Sequence, residues 1–211
     1  FKFRLYEVDT IIGGMLVLPA TPEVIGGFLA EAEAAPEELS TILSVMTAPP
    51  MPFLPEAYHG QIVALAMMVY TGEEEDGYRA IAPFRNLAEP IVDMIRPMPY
   101  PEIYWPDDPN FRPVTTLRSK FIDQIDQDAL HATIEHLHAS DAMMRIAEFR
   151  VLGGAMSRVP VEATAFAHRS RRIMASFITQ FENRAEFATH DAWVVAGINE
   201  LEDRGAVYVN F

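Results

Sequence analysis

Residues 39–70 read LSTILSVMTAPPMPFLPEAYHGQIVALAMMVY. Both ends of this stretch, Leu39–Met46 and Gln61–Tyr70, are rich in apolar and β-branched residues, which is typical of strands. The prolines between them exclude regular pairing and predict an extended loop. Two strands therefore follow each other without a helix, which favours an antiparallel sheet because parallel neighbours need a long crossover.

Outward from this stretch the chain alternates strands and helices, and several strands again come in consecutive pairs. The further predicted strands are Phe1–Leu5, Met15–Leu18 after a turn at Gly13–Gly14, Ile91–Ile95, Thr115–Ile122, Met143–Val151, Arg172–Phe181 and Val207–Phe211. The predicted helices begin at caps or acidic turns and span Thr21–Ala34, Glu73–Leu87, Asp126–His138 and Ala188–Leu201. Eight or nine strands with four helices predict an α+β fold, with an antiparallel sheet and helices packed on one face.

Composition narrows the function. The 211 residues include 30 Asp and Glu against 16 Lys and Arg, so the formal net charge is −14 at pH 7. A field of that sign repels phosphate backbones and anionic lipid, which disfavours nucleic-acid and membrane-surface partners. The chain has no cysteine, which excludes disulfides, thiolate metal sites and thiol nucleophiles. Its longest apolar run, Ile62–Tyr70, is about half the length of a membrane-spanning helix.

Motifs for other chemistries are weak or missing. His131, Glu135 and His138 recur at helical spacing and are possible zinc or iron ligands, but an exposed helix side in an acidic protein has the same pattern. We expect no metal. No Gly-x-Ser-x-Gly or Gly-x-Gly-x-x-Gly sequence is present, which disfavours a serine hydrolase and a dinucleotide-binding fold.

An aromatic, proline-rich loop follows the strand at Ile91–Ile95. Its large amphipathic side chains, Tyr100, Tyr104 and Trp105, lie where no core packing is predicted. Such side chains commonly form a ligand wall or an interface, and we predict that they contact substrate. A structural role remains an equally good interpretation.

Residues Glu148–Arg169, EFRVLGGAMSRVPVEATAFAHR, carry a resemblance to a known family. The stretch resembles part of the berberine-bridge-enzyme-like FAD-linked oxidases of the vanillyl-alcohol-oxidase flavoprotein group. Pro97–Tyr100 followed by Arg118–Phe121 is similar to a loop and strand of the family's substrate domain, and Tyr208–Phe211 is similar to its late Tyr-x-Asn-aromatic strand.

The resemblance covers nearly the whole chain but only the middle of the family's architecture. It implies that residues 1–211 are a single substrate-binding domain of a larger flavoenzyme, with both ends cut and the FAD held mainly by a missing flavin domain. It also implies an antiparallel sheet of about seven strands, with one face covering the flavin ring. The chain alone is then expected to be inactive, and its compartment, cytoplasmic or secreted, is undetermined.

The resemblance also nominates site residues. Ser176, in the strand after His168–Arg169, takes the position where relatives have a polar or acidic side chain beside the flavin. Its period-two companions Met174, Ile178 and Gln180 are then substrate-binding residues.

In the late strand, Tyr208 is expected to be catalytic with Ser176, and Tyr208 and Asn210 are expected to contact the cofactor. Serine is a poor base where relatives carry Gln or Glu, and Phe211 stands where several have a second Tyr. The base is therefore open at this stage. His168 and Arg169 are interpreted as a structural pair, with Glu162 as a candidate carboxylate partner.

The expected partners are a small-molecule substrate and the flavin domain of the same polypeptide. Without that domain an apolar sheet face is uncovered, so we also expect a homodimer through this face. The alternative function is a non-catalytic α+β module that binds a small ligand or dimerises.

Overall fold

The computed structural model describes residues 8–104 and 110–201, together with the backbone of a two-residue strand at Val207–Tyr208. The predicted strand at Phe1–Leu5 lies outside the described residues. The described part confirms the α+β prediction, since its strands form one open antiparallel sheet.

Six long strands build most of the sheet, and three short ones extend it. The bounds are β1 Ile11–Pro19, β2 Leu39–Thr47, β3 Ile62–Tyr70, β4 Val92–Asp93, β5 Arg96–Met98, β6 Val114–Ile122, β7 Met144–Val151, β8 Ile173–Phe181 and β9 Val207–Tyr208. The order across the sheet is β4-β1-β3-β2-β7-β8-β6-β9, and β5 pairs with β1 beside β4. As predicted, β2 and β3 pair directly, with Leu39 opposite Tyr70 and Thr47 opposite Ile62.

The helices are α1 Pro22–Ala34, α2 Glu74–Arg85, α3 Gln127–His138, the one-turn α4 Gly154–Ser157 and α5 Phe187–Glu200. Two predicted caps are present: Thr21 Oγ1 accepts the Val24 N–H at 3.3 Å, and Asp126 Oδ1 accepts the Ala129 N–H at 2.8 Å. Each satisfies an amide that the first turn of a helix leaves without a partner.

The main core lies between the sheet and the four longer helices. Along β8, Ile173, Ala175 and Phe177 point into it and alternate with residues of the other face. Phe177 is 1% exposed, and burying a side chain of that size contributes about 1.5–3 kcal/mol. One face of the sheet is thus covered by the four longer helices, and the opposite face is not.

The predicted turn at Gly13–Gly14 is wrong. Both glycines lie inside β1, and Gly14 has φ +146. A Cβ on Gly14 would lie 2.3 Å from the carbonyl oxygen of Met94. Glycine is therefore needed for close approach of the edge segment rather than for a change of direction.

The strand predicted at Ile91–Ile95 is also different. It is replaced by β4 and β5, two short strands on the outer edge of β1. Pro97 lies in β5 opposite Ile12, which is compatible with its missing N–H because β5 is an edge strand. The chain between the two short strands passes the Gly14 position described above.

Candidate functional site

The candidate site is the sheet face that the four longer helices leave uncovered, here called the open face. Cross-strand partners in an antiparallel sheet present their side chains on the same face. The register aligns four polar residues in one row across this face, and the row consists of Ser44 on β2, Glu148 on β7, Ser176 on β8 and Ser119 on β6. The backbone of Tyr208 on β9 pairs with Ser119 and occupies the next register position.

Partly exposed apolar side chains surround the polar row. They come from the four central strands and are Ile42, Leu65, Met67, Ile146 and Ile178. By register they belong to the same face as Ser44 and Ser176. The result is an apolar floor crossed by one line of hydroxyl and carboxylate groups.

Ser176 is the predicted site residue nearest the middle of the row. It is 2% exposed, and its Oγ lies 2.9 Å from Oγ of Ser119 in a hydrogen bond that either hydroxyl can donate. The structure places the predicted companions Met174, Ile178 and Gln180 on the same face, with Met174 buried and the other two half-buried. Their substrate-binding roles stay predictions.

Glu148 is the functional candidate that sequence reasoning missed. It lies directly opposite Ser176, and its side chain is 15% exposed. Its Oε1 accepts a hydrogen bond at 2.9 Å from Nε of Arg150, two residues along the same strand and face. The signal was available in one respect: none of the other five long strands contains an acidic residue, and β7 contains only this one.

The Tyr100 loop lies on the same face but at its far side. Ile103 is buried against Ile11 and Met98 over β1, while Tyr100 and Tyr104 are 42% and 60% exposed. The strand order puts four strand spacings between β1 and β8, roughly 19 Å. The structure therefore does not bring the two tyrosines to Ser176.

The two tyrosines interact with each other. Their hydroxyl oxygens are 2.9 Å apart, and this hydrogen bond raises the pKa of Tyr100 above its ordinary value. Tyr104 also borders a cavity of about 190 Å³ together with Met15, Met94 and Arg96. Trp105, the third predicted aromatic, lies outside the described residues.

A second loop, residues 152–172, covers the other side of the open face. The His168 ring stacks on Phe121 of β6 with centroids 4.4 Å apart. Gly154, in this loop, has φ +56, a backbone conformation that favours glycine. The suggested Glu162 partner of Arg169 is wrong, because the buried guanidinium donates to Met156 O and Thr164 Oγ1 while Glu162 is exposed.

The proline-rich loop between β2 and β3 covers a third part of the face. Leu54 packs with Ala48, Val17 and Val63 in a separate small cluster. Two of the three loops thus pack over β1 and β3 and the third over β6, on either side of the strand β7 that carries Glu148.

Some predicted residues fall outside what the structure describes. Asn210 and Phe211 are outside the described residues, and for Tyr208 only the backbone is described. Within the described ranges, no three His, Asp or Glu side chains come together in a way that could hold a metal ion. None of the described helices is long and apolar enough to cross a membrane.

No family model and no curated protein sequence matches this chain. Several solved structures match it. BBE-like 1 from Physcomitrella patens matches with a TM-score of 0.73 and 14% identity over 94% of this chain and 45% of that chain. The fold is shared with part of a BBE-like protein.

GilR, described as an oxidoreductase that catalyses the terminal step of gilvocarcin biosynthesis, matches with a TM-score of 0.73 and 14% identity over 94% of this chain and 45% of its own. The glycopeptide hexose oxidase DBV29, solved with teicoplanin, matches with a TM-score of 0.71 and 15% identity over 92% and 41%. This chain therefore spans less than half the length of these structures. The fold implied by the resemblance is confirmed.

Proposed function

We propose that this chain is the substrate-binding domain of a larger FAD-dependent oxidoreductase that oxidises an alcohol, a sugar or a secondary metabolite. The main support is structural similarity. Over nearly the whole of its length this chain shares its fold with a BBE-like protein, with the oxidoreductase GilR and with the hexose oxidase DBV29. The open face, which the longer helices leave uncovered, supports the same interpretation because a planar flavin ring needs a flat covering surface.

The side chains of the open face fit a flavin. Ile42, Ile146 and Ile178 are partly exposed and can pack against an aromatic ring, whereas Ser44 and Glu148 can engage polar groups at its edge or on a substrate. The polar side chains at the centre of the face are neutral serines and the acidic Glu148, and Arg150 lies beside Glu148. We place the flavin ring and the substrate against the polar row.

When bound, FAD supplies the acceptor for a hydride. The chain's own residues would bind and orient the substrate, and the three loops would restrict water at the floor. The Ser119–Ser176 pair holds a fixed hydroxyl at the centre of the row, since each serine limits the other's rotation. Tyr208 and Asn210 are proposed to complete the site from β9 and the residues after it.

The test is the colour of the intact protein that contains this chain. We expect the purified protein to be yellow, with the visible absorbance of oxidised flavin that bleaches on reduction with dithionite. A colourless protein to which added FAD does not bind would contradict the proposal. It would leave the non-catalytic ligand-binding or dimerisation module as the interpretation.

Expressed alone, the chain is proposed to be inactive and to dimerise through the open face. Partly exposed Ile42, Met67 and Ile178 would then be covered by the second copy, which offsets their exposure to water. Light scattering of the isolated chain and of the intact protein shows whether the isolated chain is a dimer. A monomer at high concentration would contradict dimerisation.

A further inference from the structure

We infer that Glu148 is the catalytic base of this site, the group that accepts the hydroxyl proton of an alcohol or sugar substrate. The inference rests on the proposed function, because it needs a flavin to take the hydride. It assigns a role that Ser176 cannot fill, since a neutral serine hydroxyl is a poor proton acceptor.

The position of Glu148 is the first argument. The chain has 30 acidic residues, yet the six long strands hold only this one. Its side chain is 15% exposed in the middle of an apolar floor. A carboxylate is uncommon in such a place even when an arginine pairs with it, and we take a functional role as the reason for its presence.

Its neighbours are the second argument. On β2 and β8 the residues opposite Glu148 are Ser44 and Ser176, both uncharged. Arg150 is a charged group beside it on its own strand, and the loop that covers Phe121 carries His168 over β6. The Arg150 hydrogen bond fixes the direction of the Glu148 carboxylate on this face.

The hydrogen-bonding geometry is the third argument. Arg150 engages Oε1, and no described residue donates a hydrogen bond to Oε2. As far as the described residues go, this oxygen is left for a substrate hydroxyl. Residues opposite each other on paired strands have Cβ atoms about 4.5–5.5 Å apart, so Glu148 and Ser176 can reach the same substrate atom.

The reaction balances with these groups. The O–H bond of the substrate breaks and its proton goes to Glu148, while the hydride on the carbinol carbon goes to FAD and a C=O bond forms. The substrate loses two electrons, and FAD gains them. Glu148 later returns the proton to solvent.

The first measurement is the midpoint potential of the flavin in the intact protein. Glu148→Gln removes a negative charge from the flavin's surroundings and is expected to make the potential more positive. Glu135→Gln is the matched control, because Glu135 is exposed on α3 on the other side of the sheet, and should leave the potential unchanged. Equal potentials in both variants and the wild type would overturn the inference.

The second measurement is anaerobic reduction of the flavin by whichever donor, among D-glucose and a panel of primary and secondary alcohols, reduces the wild type fastest. Loss of a general base costs about 10²–10⁴-fold, so Glu148→Gln is expected to slow reduction by at least about 100-fold and to remove the acid limb of its pH profile. Formate added to Glu148→Ala should restore part of the rate. Glu148→Asp should keep more activity than Glu148→Gln.

Different results overturn the proposed function and the role of Glu148. Absence of flavin from the intact protein overturns the proposed function. Flavin that is present and is reduced by Glu148→Gln within about threefold of the wild-type rate, with an unchanged pH profile, overturns only the role of Glu148.

Discussion

A Cβ atom on Gly197 would lie 2.6 Å from Cδ1 of Phe177. Gly197 is in α5 and Phe177 in β8, one residue from Ser176 but on the opposite face. The contact therefore sets how closely α5 supports the strand that carries the centre of the site.

Gly197→Ala is expected to lower the free energy of unfolding by about 1–3 kcal/mol, because the added methyl overlaps a ring that cannot move away in a packed core. Urea denaturation of the chain measures it. Asn199→Ala, on an exposed position of the same helix, should change stability by about 0.5 kcal/mol or less. Equal effects would show that the helix and β8 are not tightly packed.

Gly14→Ala should loosen the β1 edge. The new Cβ would overlap the Met94 carbonyl, and the backbone at φ +146 is strained for alanine. We expect a loss of about 2 kcal/mol or more and faster hydrogen exchange of the Met94 amide, which donates to Met15 O at 2.9 Å. Ser40→Ala, at an exposed position on β2, is the control. Unchanged exchange at Met94 would contradict the close approach.

These two glycines illustrate what the sequence could and could not predict. Period-two and period-3.6 patterns located β2, β3, β8 and α3 within a residue or two, because each pattern is local. Gly14 was misread as part of a turn since its constraint comes from Met94, about 80 residues away in the chain.

Sequence reasoning did not identify Glu148 as a site residue for the same reason. Its isolation among the apolar strands is visible in the sequence, but its position opposite Ser176 follows only from the β7–β8 register. The face shared by Met174, Ser176 and Ile178 could be predicted, because alternation within a single strand decides it. The separation of the Tyr100 loop from Ser176 depends on strand order, which the local pattern does not contain.

The serine pair predicts a coupled effect on stability. Ser176→Ala or Ser119→Ala alone should cost about 1 kcal/mol, because each removes the same buried hydrogen bond. The double variant should cost less than the sum of the two. A double-mutant cycle by urea denaturation measures the coupling, and strictly additive losses would show that the two hydroxyls do not interact.

Acid should destabilise the part of the 152–172 loop that contains α4. The Arg158 guanidinium hydrogen-bonds the Glu37 carboxylate and holds the pKa of that group below its ordinary value of 4.5. A lowered folded-state pKa means that the stabilisation is fully present above pH 4.5 and is lost as the pH falls below it. Hydrogen exchange of residues 154–158 should therefore rise on acidification beyond the intrinsic pH effect.

Glu37→Gln is the control for the acid effect. It removes the titrating group, so the same amides should show no additional rise below pH 4.5. If wild type and Glu37→Gln respond identically, the ion pair does not hold the loop.

The central claim, that the open face covers the flavin-bearing part of a larger protein, is tested most directly by thiol labelling. The chain contains no cysteine, so Ser44→Cys on the floor and Ala132→Cys on the exposed side of α3 each introduce one probe into it. The account predicts that Cys at 44 reacts at least about tenfold more slowly in the flavin-loaded intact protein than in this chain alone at low concentration, while Cys at 132 reacts equally in both. Equal reactivity at position 44 in the two proteins would contradict it.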